Sequence, residues 1–293
     1  MAKRVRLRAG DLAVTLAPAV GGSIASFAYR DRPVMRPAPP TLTRPLDGAC
    51  FPLVPYCNRI RDGSFSFRGR TVELAPNMAG DASPLHGQGW LSAWTVAKAD
   101  ETTAELRFAH RAGEWPWSYQ AVQLFRLEPS GLSIRLGCRN LSDSPMPCGL
   151  GQHPYFPCGA ATIIDTDVDV VWSIDDRILP VERLPAEGRF NLRNRSVCAQ
   201  DLDHGFGGWS GSALIHSPEL PFSIGIESGE ADFFQLYSPA SGGIFVAEPV
   251  THANAALNAP ERDWPELGLR ILGPGEEMAL NSRFAVAALS SEG

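Results

Sequence analysis

The sequence carries no basic run, no CxxC pair and no apolar stretch near the ~18 residues that a membrane-crossing helix needs. Each absence removes a class of function. The net charge is -6, from 26 Lys and Arg against 32 Asp and Glu, and no basic stripe breaks that balance, so no nucleic-acid partner is expected. Without a long apolar run, no membrane partner is expected either. Residues 1–10 are polar and basic and lack an apolar h-region, so no secretory signal is expected. The six cysteines (Cys50, Cys57, Cys138, Cys148, Cys158 and Cys198) are therefore expected as reduced thiols of a cytoplasmic protein, although their even count also allows disulfides.

Common catalytic signatures are also missing. There is no G-x-G-x-x-G, no P-loop lysine, no H-E-x-x-H and no G-x-S-x-G. No segment shows an apolar stripe of helical period with caps, and no linker, repeat or low-complexity tract appears.

Turns and alternation are present in quantity. The 28 Gly and 25 Pro are scattered along 293 residues, which breaks long helices and suits many turns. Val5 and Leu7, then Leu12, Val14 and Leu16, alternate across a Gly10-Asp11 turn. Phe65 and Phe67 lead through Arg68-Gly69-Arg70 to Val72 and Leu74. Further pairs of strand-like stretches are 94–99 with 104–110, 119–127 with 132–140, and 213–216 with 222–227. A last pair, 267–272 with 277–288, flanks Gly273-Pro274-Gly275. Short helical turns are expected around 185–200, where alternation is lost. Strands that bury one face must stack, so the expected fold is all-β: a large antiparallel β-sandwich with few short helices, one domain over residues 1–293.

Five segments break the strand pattern and carry polar groups. The first is Phe51-Pro52-Leu53-Val54-Pro55-Tyr56-Cys57-Asn58-Arg59-Ile60, in which Arg59 either donates paired hydrogen bonds to a ligand or is tied to a carboxylate. The second is Leu85-His86-Gly87-Gln88-Gly89-Trp90, a loop histidine beside a tryptophan that either faces a sugar ring or packs in the core. The third is Gln152-His153-Pro154-Tyr155, where the proline holds His153 extended. The fourth is Asp201-Leu202-Asp203-His204, whose spacing is poor for a metal, so no metal is expected. The fifth is Ile244-Phe245-Val246-Ala247-Glu248-Pro249, which ends an apolar strand on a carboxylate. Such burial is costly without a role, and it raises a carboxyl pKa toward that of a useful base. His110 and His216 lie on ordinary strand patterns, and Trp115 and Trp117 read more readily as core than as site.

In this order, these segments resemble the aldose 1-epimerase (galactose mutarotase) family over about positions 20 to 280. Leu272-Gly273-Pro274-Gly275-Glu276 adds a similar Pro-Gly-Glu turn before the last strand. The resemblance implies a galactose mutarotase-like supersandwich and a cofactor-independent exchange of α and β anomers of a free aldose. It also implies a small-molecule sugar partner, with the chain acting as monomer or homodimer. It assigns Glu248 as general base, His153 as general acid and His86 as the second active-site histidine. Arg59 and Asp203 match positions that hold sugar hydroxyls, with Asn58 and Trp90 beside them. The chain departs from the family in reading His86-Gly87-Gln88 for His-Gly-Gly, and Asn254 where an acid is usual, which leaves the preferred aldose open.

Three rival readings have distinct requirements. A hexose-6-phosphate mutarotase needs two or more cations at the cleft, for which Arg59, Arg61 and Arg177 are the candidates. A non-catalytic sugar sensor would use the same fold without turnover. A lyase or hydrolase would pair Glu248 with another carboxylate such as Asp203, leaving the histidines without a task.

Overall fold

The computed structural model describes residues 3–289, so the first two and last four positions of the expected domain lie outside it. Two large sheets dominate. One has nine strands, in the order Arg195–Ser196, Ile163–Thr166, Ser212–His216, Phe222–Glu227, Glu277–Ala288, Gly131–Asn140, Tyr119–Glu128, Thr103–His110 and Thr95–Ala99. The other runs Pro180–Pro185, Val170–Ile174, Leu202–Gly207, Phe233–Ser238, Ile244–Val250, Gly151–Gln152 and Pro52–Leu53, with Tyr155–Pro157 also paired to Ile244–Val250. Val5–Ala9, Leu12–Ala17, Ser23–Tyr29 and Arg32–Met35 form a smaller meander. Neighbouring strands pair antiparallel, as in the ten-residue ladder between Tyr119–Glu128 and Gly131–Asn140. The fold is all-β. Among the described residues, six three-residue 3-10 turns are the only helical segments, and no helix is long and apolar enough to cross a membrane.

Alternation explains the layering. Along Tyr119–Glu128 every second residue is buried, from Tyr119 to Leu127. Phe206, Phe234, Leu236, Phe245 and Ala247 of the eight-stranded sheet join Ile134, Leu136, Ile224, Leu280 and Phe284 of the nine-stranded sheet in one core cluster. Phe156 bridges the layers, with ring centroids 5.4 Å from Phe245 and 6.4 Å from Phe284.

Five of the expected hairpins form, including Val5–Ala9 with Leu12–Ala17 and Ser64–Phe67 with Arg70–Glu73. The sixth does not. Arg270–Leu272 pairs with Met146–Cys148, while Glu277–Ala288 pairs with Gly131–Asn140 and Phe222–Glu227. The Gly273-Pro274-Gly275 turn passes the chain between two sheets instead of folding it back on itself.

The face of the eight-stranded sheet turned away from the main core carries a separate, smaller cluster. It contains Phe51, Leu53, Trp90, Tyr155, Phe233, Val246 and Val250. The polar segments gather around it.

Candidate active site

Strand register assembles the centre of the site. On Ile244–Val250, Phe245 and Ala247 join the main core, so Val246, Glu248 and Val250 face the other way. Gln235 stands directly opposite Glu248, and Gly205 opposite Gln235. On the other flank Gly151 pairs with Val250 and Tyr155 with Val246, so His153 passes level with Glu248. The His153 backbone N–H donates to the Phe51 carbonyl at 3.0 Å, and the two rings stack at 4.3 Å. One row across the sheet therefore reads Gly205, Gln235, Glu248, His153, Phe51. The next row reads Asp203, Tyr237, Val246, Tyr155. Gln235 ties the rows together: its Nε2 donates to Asp203 Oδ1 at 2.7 Å.

Glu248 Oε1 lies 3.4 Å from His153 Nε2. Glu248 is only 2% exposed and His153 8%. Their remaining polar atoms, Glu248 Oε2 and His153 Nδ1, are buried without a hydrogen-bond partner in the protein. Buried polar atoms are nearly always paired, so two orphans on adjacent groups mark this pair as a candidate ligand site.

The other residues arrive on loops. Asn58 and His86 both have left-handed backbones, with φ of 58° and 61°. Such strain in non-glycine residues persists only where the surroundings enforce it, and it clusters at functional sites. Gly87 follows at φ 73°, and a Cβ there would lie 2.2 Å from the Val54 carbonyl oxygen, so only glycine fits. The Asn58 N–H donates to His86 Nδ1 at 3.1 Å, which leaves the proton of neutral His86 on Nε2. The His86 ring meets His153 edge-on at 5.4 Å. Arg59 donates from Nε to Asp81 Oδ2 at 2.8 Å and from Nη1 to Asn58 Oδ1 at 3.1 Å. Of the two sequence readings of Arg59, its contacts show the one tied to a carboxylate, with the side chain placed among the polar residues.

The loop after the Glu248 strand clamps the Arg59 segment. His252 Nε2 accepts the Cys57 N–H at 2.8 Å, Asn254 Oδ1 that of Arg59 at 3.1 Å and Asn258 Oδ1 that of Arg61 at 2.7 Å. Asn254, where the family usually has an acid, therefore spends its oxygen on the Arg59 backbone.

Burial sets the electrostatics. It pushes the Glu248 carboxyl well above its ordinary range; the charge of Asp203 adds to this and Arg59 opposes it. Burial lowers His153 to about 3, with Arg36 acting in the same direction. It also drives His86 well below the ordinary imidazole value, helped by His153 and Arg59. Asp203 is raised by burial, against Arg59 and the Gln235 hydrogen bond. Taken singly, each member of the Glu248–His153 pair resists carrying a charge.

Six of the seven residues singled out by sequence (Glu248, His153, His86, Arg59, Asn58 and Asp203) come together here. Trp90 does not lie open to the site. It is buried, donates from Nε1 to the Leu85 carbonyl at 2.9 Å and stacks on Phe51 at 5.4 Å, supporting the ring that in turn stacks on His153. Asp203 and His204 point to opposite faces of their strand, as neighbours must, and His204 packs on Phe190 at 4.9 Å. Among the described residues no three His, Cys, Asp or Glu side chains are grouped as metal ligands.

Sequence reasoning missed Gln235, Phe51, Tyr155 and Asp81. Gln235 had a signal: in Phe233-Phe234-Gln235-Leu236-Tyr237 a lone amide sits among apolar strand residues. Asp81 had none, because its loop gives no period to read.

The family model described as aldose 1-epimerase matches residues 3–285. The uncharacterized protein YphB of Escherichia coli K12 is 32% identical over 267 residues, 87% of this chain and 89% of YphB. A crystal structure from Escherichia coli K12, provisionally assigned as an aldose 1-epimerase, superposes with TM-score 0.90 at 28% identity, covering 98% of this chain and 99% of that one. A galactose mutarotase-like protein from Clostridium acetobutylicum gives TM-score 0.85 at 21% identity, covering 97% and 95% of the two chains; at that identity the likeness speaks for the fold alone. With the family model spanning nearly the whole chain and these relatives matching end to end, the protein belongs to the aldose 1-epimerase family.

Proposed function

We propose that this protein is a cytoplasmic mutarotase that interconverts the α and β anomers of a free aldose by general acid–base ring opening. The observation that carries the reading is the 3.4 Å approach of Glu248 Oε1 to His153 Nε2, with the second polar atom of each group orphaned.

The proton count closes without a cofactor. Ring opening removes the proton from the anomeric hydroxyl and adds one to the ring oxygen. Glu248 takes the first and His153 gives the second. An ion pair, Glu248 carboxylate with His153 imidazolium, thereby becomes a neutral pair, carboxylic acid with imidazole. Rotation about the C1–C2 bond and closure on the other face return both protons. Because burial favours the neutral pair, the site suits the opened, proton-transferred state better than the closed sugar. That preference is the differential binding that lowers a barrier. Arg59, Asp203 and Gln235 would hold ring hydroxyls, and neutral His86 would donate from Nε2.

A phosphorylated substrate is less well supported, because the three cations that the sequence offered for it already have carboxylate partners. Arg59 is held by Asp81 at 2.8 Å, Arg61 by Asp175 at 3.6 Å and Arg177 by Asp62 at 2.5 Å. Polarimetry on freshly dissolved anomers of glucose, galactose and glucose 6-phosphate tests the reading. Faster exchange of the free sugars is expected. Higher turnover of the phosphate would replace the proposal with the hexose-6-phosphate reading.

A further inference from the structure

The chain has seven tryptophans. Trp90, Trp94, Trp115, Trp117, Trp209 and Trp264 are all buried, none more than 5% exposed. Trp172 alone is half-buried, and it lies on the site's side of the sheet. Val171 pairs with Phe206 and joins the main core, and Val170 pairs with Gly207, so Trp172 comes level with Gly205 and faces the other way. Its backbone stands beyond the end of the row Gly205, Gln235, Glu248, His153, and its indole leans over Gly207 in the next row.

Beyond Asp203, the strand beneath Trp172 carries no side chain on this face. Gly205 and Gly207 occupy consecutive outward positions, and a Cβ on Gly207 would come within 3.0 Å of Trp172 Cη2. The indole therefore rests against bare backbone. Phe233 flanks it at 5.9 Å and the Arg183 guanidinium stands 6.0 Å from its centroid.

Strand order places Trp172 at the far edge of the site: its backbone lies three strands from Glu248, about 14 Å at the usual strand spacing. Asp203, tied to the catalytic row by Gln235, closes the single-sugar site one strand earlier. A partly exposed aromatic surface beyond that boundary, packed on the site-side apolar cluster, is suited to the apolar C–H face of another pyranose.

Resting on the mutarotase reading above, we infer that Trp172 is the platform of a second sugar subsite, and that the preferred substrates are reducing disaccharides or longer glycans. Their reducing-end ring occupies the Glu248–His153 site, and the next ring stacks on Trp172.

The test compares wild type, Trp172→Ala and Trp172→Phe on glucose, galactose, maltose, cellobiose and lactose, with anomer exchange followed by NMR. Calorimetric binding is measured alongside, and thermal melts check that the variants fold. Trp172→Ala is expected to lower kcat/KM for at least one disaccharide about tenfold, mainly through KM, and to leave glucose and galactose unchanged. Trp172→Phe should recover most of the loss. Equal losses on mono- and disaccharides, or no loss on any disaccharide, would overturn the subsite while leaving the mutarotase reading in place. If no sugar is anomerised, the mutarotase reading falls and binding decides the subsite. Disaccharide affinity weakened by Trp172→Ala, with glucose affinity unaffected, keeps it; no such difference removes it.

Discussion

Glu248 and His153 are shifted by one cause in opposite directions. Burial makes the carboxyl keep its proton to higher pH and makes the imidazole accept a second proton only at lower pH, about 3. The pair therefore holds a single proton over a wide range, and that one-proton state is the one the mechanism uses. The profile of kcat/KM against pH is expected to be flat through the ordinary imidazole value of about 6.5. Its alkaline limb should appear where Glu248 finally loses the shared proton, above the usual carboxyl range. Rate measurements from pH 4 to 9 check this, and activity falling with acidification through pH 6.5 would contradict it. The residue types of the site were legible because each broke a strand pattern: Glu248 ended an apolar run and His153 preceded a proline. Their shared proton was not, since it depends on a 3.4 Å approach between residues far apart in the chain. Trp90 misled for a related reason. A tryptophan beside a loop histidine reads the same whether it faces ligand or, as here, packs behind Phe51.

The clamp between residues 57–61 and the loop after the Glu248 strand is the element on which the site's geometry depends. Asn258 accepts the Arg61 N–H and donates to the carbonyls of Arg61 and Ser64 at 3.3 and 2.8 Å. Asn258→Ala leaves these partly buried backbone groups unpaired and is expected to destabilise the protein by about 1–3 kcal/mol. The same change should raise KM more than it lowers kcat, because in the proposed site Arg59 would hold the sugar in ground and transition states alike. Urea unfolding and steady-state kinetics on one preparation measure both effects. Most elements could be read from local alternation and turn residues, as with Val5–Ala9 and Leu12–Ala17 around Gly10-Asp11. The Gly273-Pro274-Gly275 turn shows where this fails. Turn chemistry reports that the chain reverses, but the partner of Arg270–Leu272 is Met146–Cys148, far away in sequence.

Across the whole molecule, the two large sheets divide their tasks. The nine-stranded sheet and the inner face of the other build a core that includes both Val5 and Val286. This frees the outer face of the eight-stranded sheet to carry costly groups. Glu248, buried and half-unpaired, is tolerated because that core holds its strand from behind through Phe245 and Ala247. The all-β class followed from the abundance of turns and the lack of any helical stripe, whereas the strand order that brings Gln235, Glu248 and His153 into one row is a tertiary fact with no local signature. The central claim is that this carboxylate and imidazole exchange anomers together. It is tested most directly by the rate of α-to-β exchange for a freshly dissolved aldose with wild type, Glu248→Gln and His153→Asn, each checked for retained sugar binding. Both variants are expected to bind sugar and lose nearly all acceleration. A Glu248→Gln enzyme that keeps more than about a tenth of wild-type activity, less than 1.4 kcal/mol of lost transition-state stabilisation, would contradict the account.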